Sequence, residues 1–203
     1  MTRETTPREA LRELIDQRCL ITDTAMTLST GTQSSFYFDC KRAMLDGQTL
    51  SLIADAFLEE IDRLEERPAA IGGLTLGADF ITAAVAMRAY QLRHPTAQGS
   101  IVRKEPKKHG TRNHIENELP PGTRIVVIDD VITSGSSIQR AAEQFLAAGY
   151  KIVGIVALVD RQAGGAEQLA KTFQCPVRVI FKKSDFPRIN ADVSAIPHAA
   201  VNA

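Results

Sequence analysis

Asp129 and Asp130 stand side by side directly after a run of four branched aliphatics, Ile125-Val126-Val127-Ile128. Val131 and Ile132 follow, then Thr133-Ser134-Gly135-Ser136-Ser137. Aliphatics without polar alternation read as a strand buried on both faces of a parallel sheet, and open α/β sheets bind ligands at the carboxyl ends of such strands. Small hydroxyl residues around a glycine, leading into a helix, turn several backbone N–H groups and the helix dipole toward one anion. Charge-assisted hydrogen bonds of this kind contribute about 1.5–3 kcal/mol each, so a few of them fix a phosphate firmly. Carboxylates repel phosphate but accept hydrogen bonds from hydroxyls. The segment thus suits a phosphate at one end and a sugar diol, such as the 2′ and 3′ hydroxyls of a ribose, at the other. Neither G-x-x-x-x-G-K-[ST] nor G-x-G-x-x-G occurs, so a nucleotide triphosphatase loop and a dinucleotide fingerprint do not fit.

A second concentration of charge lies upstream. Arg103 to His114 (RKEPKKHGTRNH) holds five Lys or Arg and two His against one acid, in a chain with 24 basic and 24 acidic residues. Charge runs are usually solvated surface. This one directly follows the strand-like Ser100-Ile101-Val102-Arg103, which puts it at the same sheet edge as the acidic pair. A cationic loop there would close over pyrophosphate, exclude water and offset negative charge on a leaving group.

The whole run Arg124 to Ile138, RIVVIDDVITSGSSI, resembles the phosphoribosyl-pyrophosphate motif of type I phosphoribosyltransferases. The resemblance implies that Asp129 and Asp130 hold the ribose hydroxyls. It implies that Val131, Ile132, Thr133, Ser134, Gly135, Ser136 and Ser137 complete the sugar-phosphate site. The spacing Arg-Lys-x-x-Lys-x-His-Gly from Arg103 resembles the flexible catalytic loop of the orotate phosphoribosyltransferases. By that likeness Arg103, Lys104, Lys107 and His109 contact pyrophosphate, and Lys107 matters most, reaching into the neighbouring subunit of a homodimer. Thr27 to Asp39 (TLSTGTQSSFYFD) looks like the base-binding hairpin of that family, which puts Tyr37 and Phe38 on the pyrimidine. Ile71 to Ala78 (IGGLTLGA) resembles the pyrophosphate-side loop and assigns Gly73 and Thr75 to substrate binding. Val159-Asp160-Arg161 resembles the strand end whose arginine helps hold orotate; the plainer reading of Arg161 is a salt bridge to Asp160 or a neighbour.

The likeness covers about Thr27 to Phe186 and implies transfer of the 5-phosphoribosyl group from phosphoribosyl pyrophosphate to orotate. The products would be orotidine 5′-monophosphate and pyrophosphate, a step of pyrimidine biosynthesis, with Mg²⁺ carried on the substrate's oxygens and no protein ligand of its own. Two alternatives stand beside it. One is a phosphoribosyltransferase for a purine or uracil, against which the basic loop speaks. The other is a non-catalytic, nucleotide-sensing regulator of the same fold, which would need a further basic face or an extra binding domain.

These segments need a scaffold, and the rest of the sequence supplies one. Thr6-Pro7-Arg8-Glu9 is a helix start with a capping box, followed by Leu11, Leu14, Ile15 and Cys19 on one face. Ser34 to Asp39 reads as a short strand, Gln48 to Arg67 as a long helix, Ala69 to Gly72 as a strand and Ala78 to Arg93 as a helix. Strand Ser100 to Arg103 leads into a polar loop through Gly122, then strand Ile125 to Ile128 and helix Ser136 to Ala148, which Gly149 can end. Strand Lys151 to Val159, helix Ala166 to Phe173 and strand Val177 to Phe181 finish the pattern. Strand and helix alternating in this way mean an α/β fold with a central, mostly parallel sheet flanked by helices, here with a small N-terminal hood. Residues 1–190 are expected to form one phosphoribosyltransferase domain, with 1–45 as hood and 46–190 as core, and 191–203 as a flexible tail.

The bulk properties fit a soluble enzyme. Of the 203 residues 44% are hydrophobic and 24% charged, and the longest apolar runs are far too short to span a bilayer. Balanced charge gives no reason to expect nucleic acid or an anionic membrane as partner. Cys19, Cys40 and Cys175 are odd in number, widely spaced and without a C-x-x-C pair, which argues for a reducing compartment. Together with a charged N-terminus lacking an apolar signal core, this makes the cytoplasm the expected location. Cys40 is expected as a small buried residue, and His94, His114 and His198 as surface residues without metal-ligand spacing.

Overall fold

The computed structural model describes residues 5–22, 26–27, 33–34, 36–105 and 114–189. Lys107, His109, His198 and the tail expected at 191–203 lie outside these. The main sheet has six strands: β5 (Ala70–Leu74), β6 (Gln98–Val102), β7 (Ile115–Glu116), β8 (Arg124–Ile132), β9 (Lys151–Asp160) and β10 (Val177–Lys182). Their spatial order is β10-β9-β8-β5-β6-β7, and every pairing is parallel except the antiparallel edge strand β7.

Strand alternation divides the core in two. Ile71, Val126, Ile128, Val156 and Leu158 face one way and pack with α1 (Pro7–Arg18), α3 (Gly47–Asp62) and α4 (Asp79–Gln91). Ala70, Ile125, Val127, Ile155 and Ala157 face the other way, against α5 (Ser136–Ala147) and α6 (Gly165–Phe173). The expected mostly parallel sheet flanked by helices is the fold observed.

The first helix starts as its capping box dictates: Glu9 N donates to Thr6 Oγ1 at 3.2 Å and Thr6 N to Glu9 Oε2 at 2.9 Å. Asp46 caps α3 by accepting from Thr49 N at 3.0 Å and from its hydroxyl at 2.6 Å. That helix ends at Asp62, five residues short of the expected Arg67. Beyond it come two arginines, two glutamates and Pro68; of this stretch only Leu64 has a core to enter, and a residue preceding proline disfavours the helical region.

The hood differs more. The expected strand Ser34 to Asp39 is broken, because its two halves pair with different partners. β3 (Gln33–Ser34) pairs with β2 (Met26–Thr27), whereas β4 (Tyr37–Phe38) pairs with β1 (Leu20–Ile21) in the register Leu20↔Phe38 and Ile21↔Tyr37. A file of rings ties β4 to the core: Phe38 meets Phe36 at 5.9 Å and Phe186 at 5.1 Å, and Phe186 meets Phe181 at 5.9 Å. The four-residue helix α2 (Lys41–Met44) follows at once.

His94 and His114 are half-buried rather than free on the surface. His94 accepts from Thr96 N at 3.1 Å and sits 2.9 Å from Asp62, joining the ends of α3 and α4. His114 lies at the start of β7, a strand absent from the expected loop, where its carbonyl accepts from Arg103 N at 2.7 Å. Cys40 is fully buried beside Cys19, as a packing residue should be.

Candidate active site

Two features of the topology locate the site. The chain leaves β5 toward β6 but leaves β8 toward β9, so the direction of winding reverses between these neighbouring strands. Ligands bind in the crevice that such a reversal opens at the carboxyl ends of the strands. A cavity of about 590 Å³ lies there, walled by Leu74 to Gly77 after β5, Asp129 to Val131 of β8, Thr133 and Ser137 beyond it, Arg161 after β9, and Tyr37, Phe38 and Lys41 from the hood.

Strand β8 runs four residues past the expected Ile128, through the acids to Ile132. Asp129 pairs with Ala157, Val131 with Val159 and Ile132 with Asp160, so the carboxylates are borne on a hydrogen-bonded ladder rather than a loop. Asp130 N donates to Asp129 Oδ1 at 3.0 Å and Val131 N to Asp130 Oδ1 at 2.9 Å. The opposite wall comes close because position 77 is glycine. A Cβ there would sit 2.5 Å from Asp129 Oδ1 and 2.8 Å from Asp130 Oδ1.

Burial and proximity set the charge of this pair. Burial pushes Asp129 well above the ordinary carboxylate range, and the neighbouring Asp130 charge adds to the rise. Asp130 is also raised by burial, while Asp129 and Lys41 pull the other way. Like charges this close resist ionising together, which is the condition for a group poised near working pH.

The residues after β8 form a turn of small residues at the cavity edge. Gly135 takes φ +80°, a left-handed conformation that turns the chain into α5 and that a side chain would strain. Thr133 and Ser137 line the cavity, and the exposed Ser134 and Ser136 hydroxyls are 3.3 Å apart at the same helix start. Ile132 is fully buried in the second core. Gly73 lies inside β5, where a Cβ would strike the Ile128 carbonyl at 2.2 Å. It brings the strands together, one residue before the cavity wall, which Thr75 joins.

Arg161 lies 8% exposed, with its guanidinium 4.4 Å over the Phe36 ring and Nη2 donating to the Phe36 carbonyl at 3.2 Å. Its own N–H donates to the Ile132 carbonyl, so β8 and the hood both fix it. Asp160 Oδ1 accepts instead from Gln162 N at 2.8 Å. A rigid cation therefore faces the hood-side half of the cavity.

The two described members of the basic group divide. Lys104 lines the main cavity, while Arg103 pairs with Glu116 at 2.9 Å and faces an adjoining hollow with Thr75 and Asp79. Arg140 of α5 donates to the Lys104 carbonyl, tying Lys104 to that helix. The sequence reading missed Lys41, Leu76 and Gly77. Lys41 follows the hairpin in Asp39-Cys40-Lys41, and only knowledge of the hood's docking would have marked it.

Comparison with known proteins agrees with this geometry. Residues 45–195 match the phosphoribosyl transferase domain. The orotate phosphoribosyltransferase of Aquifex aeolicus is 39% identical over 180 residues, covering 88% of this chain and 96% of that protein. Among solved structures, the Mycobacterium tuberculosis orotate phosphoribosyltransferase in complex with phosphoribosyl pyrophosphate superposes with a TM-score of 0.71 at 27% identity, covering 89% of this chain and 99% of the other. The enzyme from Aeropyrum pernix gives a TM-score of 0.70 at 30% identity, over 88% and 96% of the two chains. A family match across the core, relatives of the same activity over nearly the full length and an acid pair at the switch point converge, and the chain belongs to the orotate phosphoribosyltransferases of the phosphoribosyl transferase domain family.

Proposed function

We propose that this cavity carries out the family reaction, transferring the 5-phosphoribosyl group of phosphoribosyl pyrophosphate to a ring nitrogen of orotate. The carrying observation is the Asp129–Asp130 pair on β8, the first acid buried and the second half-buried, with the Thr133 to Ser137 turn beyond it and Arg161 across the cavity. The turn takes the 5′-phosphate and the acids accept from the ribose hydroxyls. As the C1–O bond lengthens, positive charge grows on the ribose ring and the carboxylates offset it. Pyrophosphate departs with the bonding electrons toward Lys104 and the remainder of the basic loop, where Lys107 and His109 belong. Orotate is anionic, and Arg161 with the backbone of Tyr37 and Phe38 favours it over uracil. Phe38 is 4% exposed and its ring lies among other phenylalanines, so its backbone is the part left to meet a base.

Magnesium would be carried by the substrate rather than by protein ligands, and would supply charge neutralisation for the leaving group. The protein acts as a homodimer that shares its basic loops, and works in the cytoplasm. No helix among the described residues is long and apolar enough to cross a membrane.

The test is orotate consumption, followed by absorbance, with phosphoribosyl pyrophosphate and Mg²⁺ present. Turnover of orotate is expected, together with a large fall for Lys107→Ala in a protein that still folds. Turnover of another base in place of orotate would overturn the assignment of substrate, and an unchanged Lys107→Ala rate would remove the loop from the mechanism.

A further inference from the structure

Lys41 is a charged wall of the cavity to which nothing above gives a task. It is the first residue of α2, directly after the β4 hairpin, and its side chain remains 47% exposed. Its ammonium sits 3.5 Å from Asp39 Oδ1 and lines the same cavity as Tyr37, Asp129 and Asp130. Burial works against its charge, yet Tyr37, Asp39 and Asp130 together raise its affinity for the proton.

The acid pair needs such a neighbour. A protonated carboxyl can still bond a ribose hydroxyl, but it cannot offset positive charge on the sugar ring. Burial favours that unhelpful neutral form in both acids. Among the described residues, Lys104 acts on Asp129 and Lys41 on Asp130. Lys104 belongs to the pyrophosphate side, so its charge is drawn on by the substrate. Lys41 approaches from the hood and is held by Asp39 instead. We propose that Lys41 is a positioning residue for phosphoribosyl transfer: from the hood wall it keeps the negative charge on Asp130, so that the pair meets the ribose diol as an acceptor.

The charged and titratable groups around Asp130 come from every neighbouring element. They are Asp129 on β8, Tyr37 and Asp39 at β4, Cys40 and Lys41 at α2, Lys104 after β6 and Arg161 after β9. Among the described cations, Lys41 is the one that combines action on Asp130 with an anchor on Asp39.

This role rests on the reaction proposed above, so the wild-type profile is measured first; failure there would count against the reaction, not against Lys41. The experiment is kcat/KM for phosphoribosyl pyrophosphate against pH for wild type, Lys41→Gln and Lys41→Arg, with a melting curve for each. An opposite charge close to a carboxyl lowers it by about one pH unit or more. The acid limb of Lys41→Gln should therefore move up by about one unit, a loss of about tenfold below the limb with little change at alkaline pH. Lys41→Arg should restore it. In an Asp130→Asn background Lys41→Gln should add no acid-limb shift, as coupled partners do. A loss equal at all pH values, a raised KM for orotate with an unmoved limb, or an undiminished shift in the Asp130→Asn background would each overturn the proposal.

Discussion

Glu60 and the Asp129–Asp130 pair are carboxylates held in opposite ways by this fold. Glu60, 3% exposed on α3, receives three arginines: Arg8 of α1 at 3.0 Å, Arg178 of β10 at 2.7 Å, and Arg63 one turn along its own helix. Although burial works against its charge, those partners hold Glu60 below the usual glutamate range. Asp129 is buried and Asp130 half-buried, and with only partial compensation both are pushed upward. The first arrangement saturates the carboxylate and ties α1, α3 and β10 together. The second leaves acceptor capacity unfilled among the described residues. Perturbation alone does not mark a working site; its sign and its unfilled remainder do.

The contrast is broken most severely at the saturated end. Glu60→Ala strands three guanidinium groups, and Arg8 loses its bond to α3 while keeping the one to the Ile180 carbonyl of β10. Removing one partner of a buried ion cluster costs about 3–5 kcal/mol, and here about 3 kcal/mol, because the arginines are partly solvated. Denaturant unfolding should show that loss while turnover per folded molecule stays near wild type. A fall in turnover with intact stability would mean the cluster has been misread. At the other end Asp130→Asn removes one charge-assisted bond to the ribose, about 2 kcal/mol, or about thirtyfold in kcat/KM. Its melting temperature should hold or rise, since a poorly compensated buried charge is gone. A protein that melts much earlier would make Asp130 a structural acid like Glu60.

The two regions also differ in how far the sequence reveals them. Asp129 to Ser137 is legible because its chemistry is local: apolar strand, acids, small hydroxyls and glycine lie in one stretch, so spacing states the site. Even there the strand's end is misjudged, since pairing of Val131 and Ile132 with β9 is a tertiary fact. Glu60 shows the opposite case. Its partners lie 52 and 118 residues away, and in the sequence it is one more polar residue on a helix. The hood fails for a related reason. Its strands are two residues long, too short for alternation to declare their partners, so Tyr37 and Phe38 were identified while the break before them was not. Lys41 and β7 were hidden in the same way, each meaningful only through what a distant segment brings beside it.

A smaller change sharpens the comparison from the side of shape. Gly77→Ala would drive a methyl group against both Oδ1 atoms, whose backbone anchors leave them little room to give. A displacement of well under 1 Å is enough, and a full 1 Å misplacement costs about a hundredfold in rate, so about tenfold is expected here. The loss should fall on kcat/KM for phosphoribosyl pyrophosphate, with stability close to wild type. A large loss of stability instead would show that the loop cannot accommodate the carbon at all.

The smallest effect is the pH dependence of stability, and it separates the two acid sites by sign. Glu60 contributes stability above the ordinary glutamate range and loses it as pH falls through its depressed folded value. The aspartates behave inversely. Above their raised folded values they are charged in both states and weigh against folding; as pH falls through those values the folded protein takes up protons first and gains. Between neutral pH and the ordinary carboxylate range, wild type should therefore melt slightly later as the solution is acidified, before Glu60 begins to fail at lower pH. Asp129→Asn should flatten the early rise and leave the late fall in place, whereas Glu60→Gln should do the reverse. If both variants track wild type across the whole range, the two carboxylate sites are not energetically distinct, and the division drawn between a saturated and an unsaturated acid loses its basis.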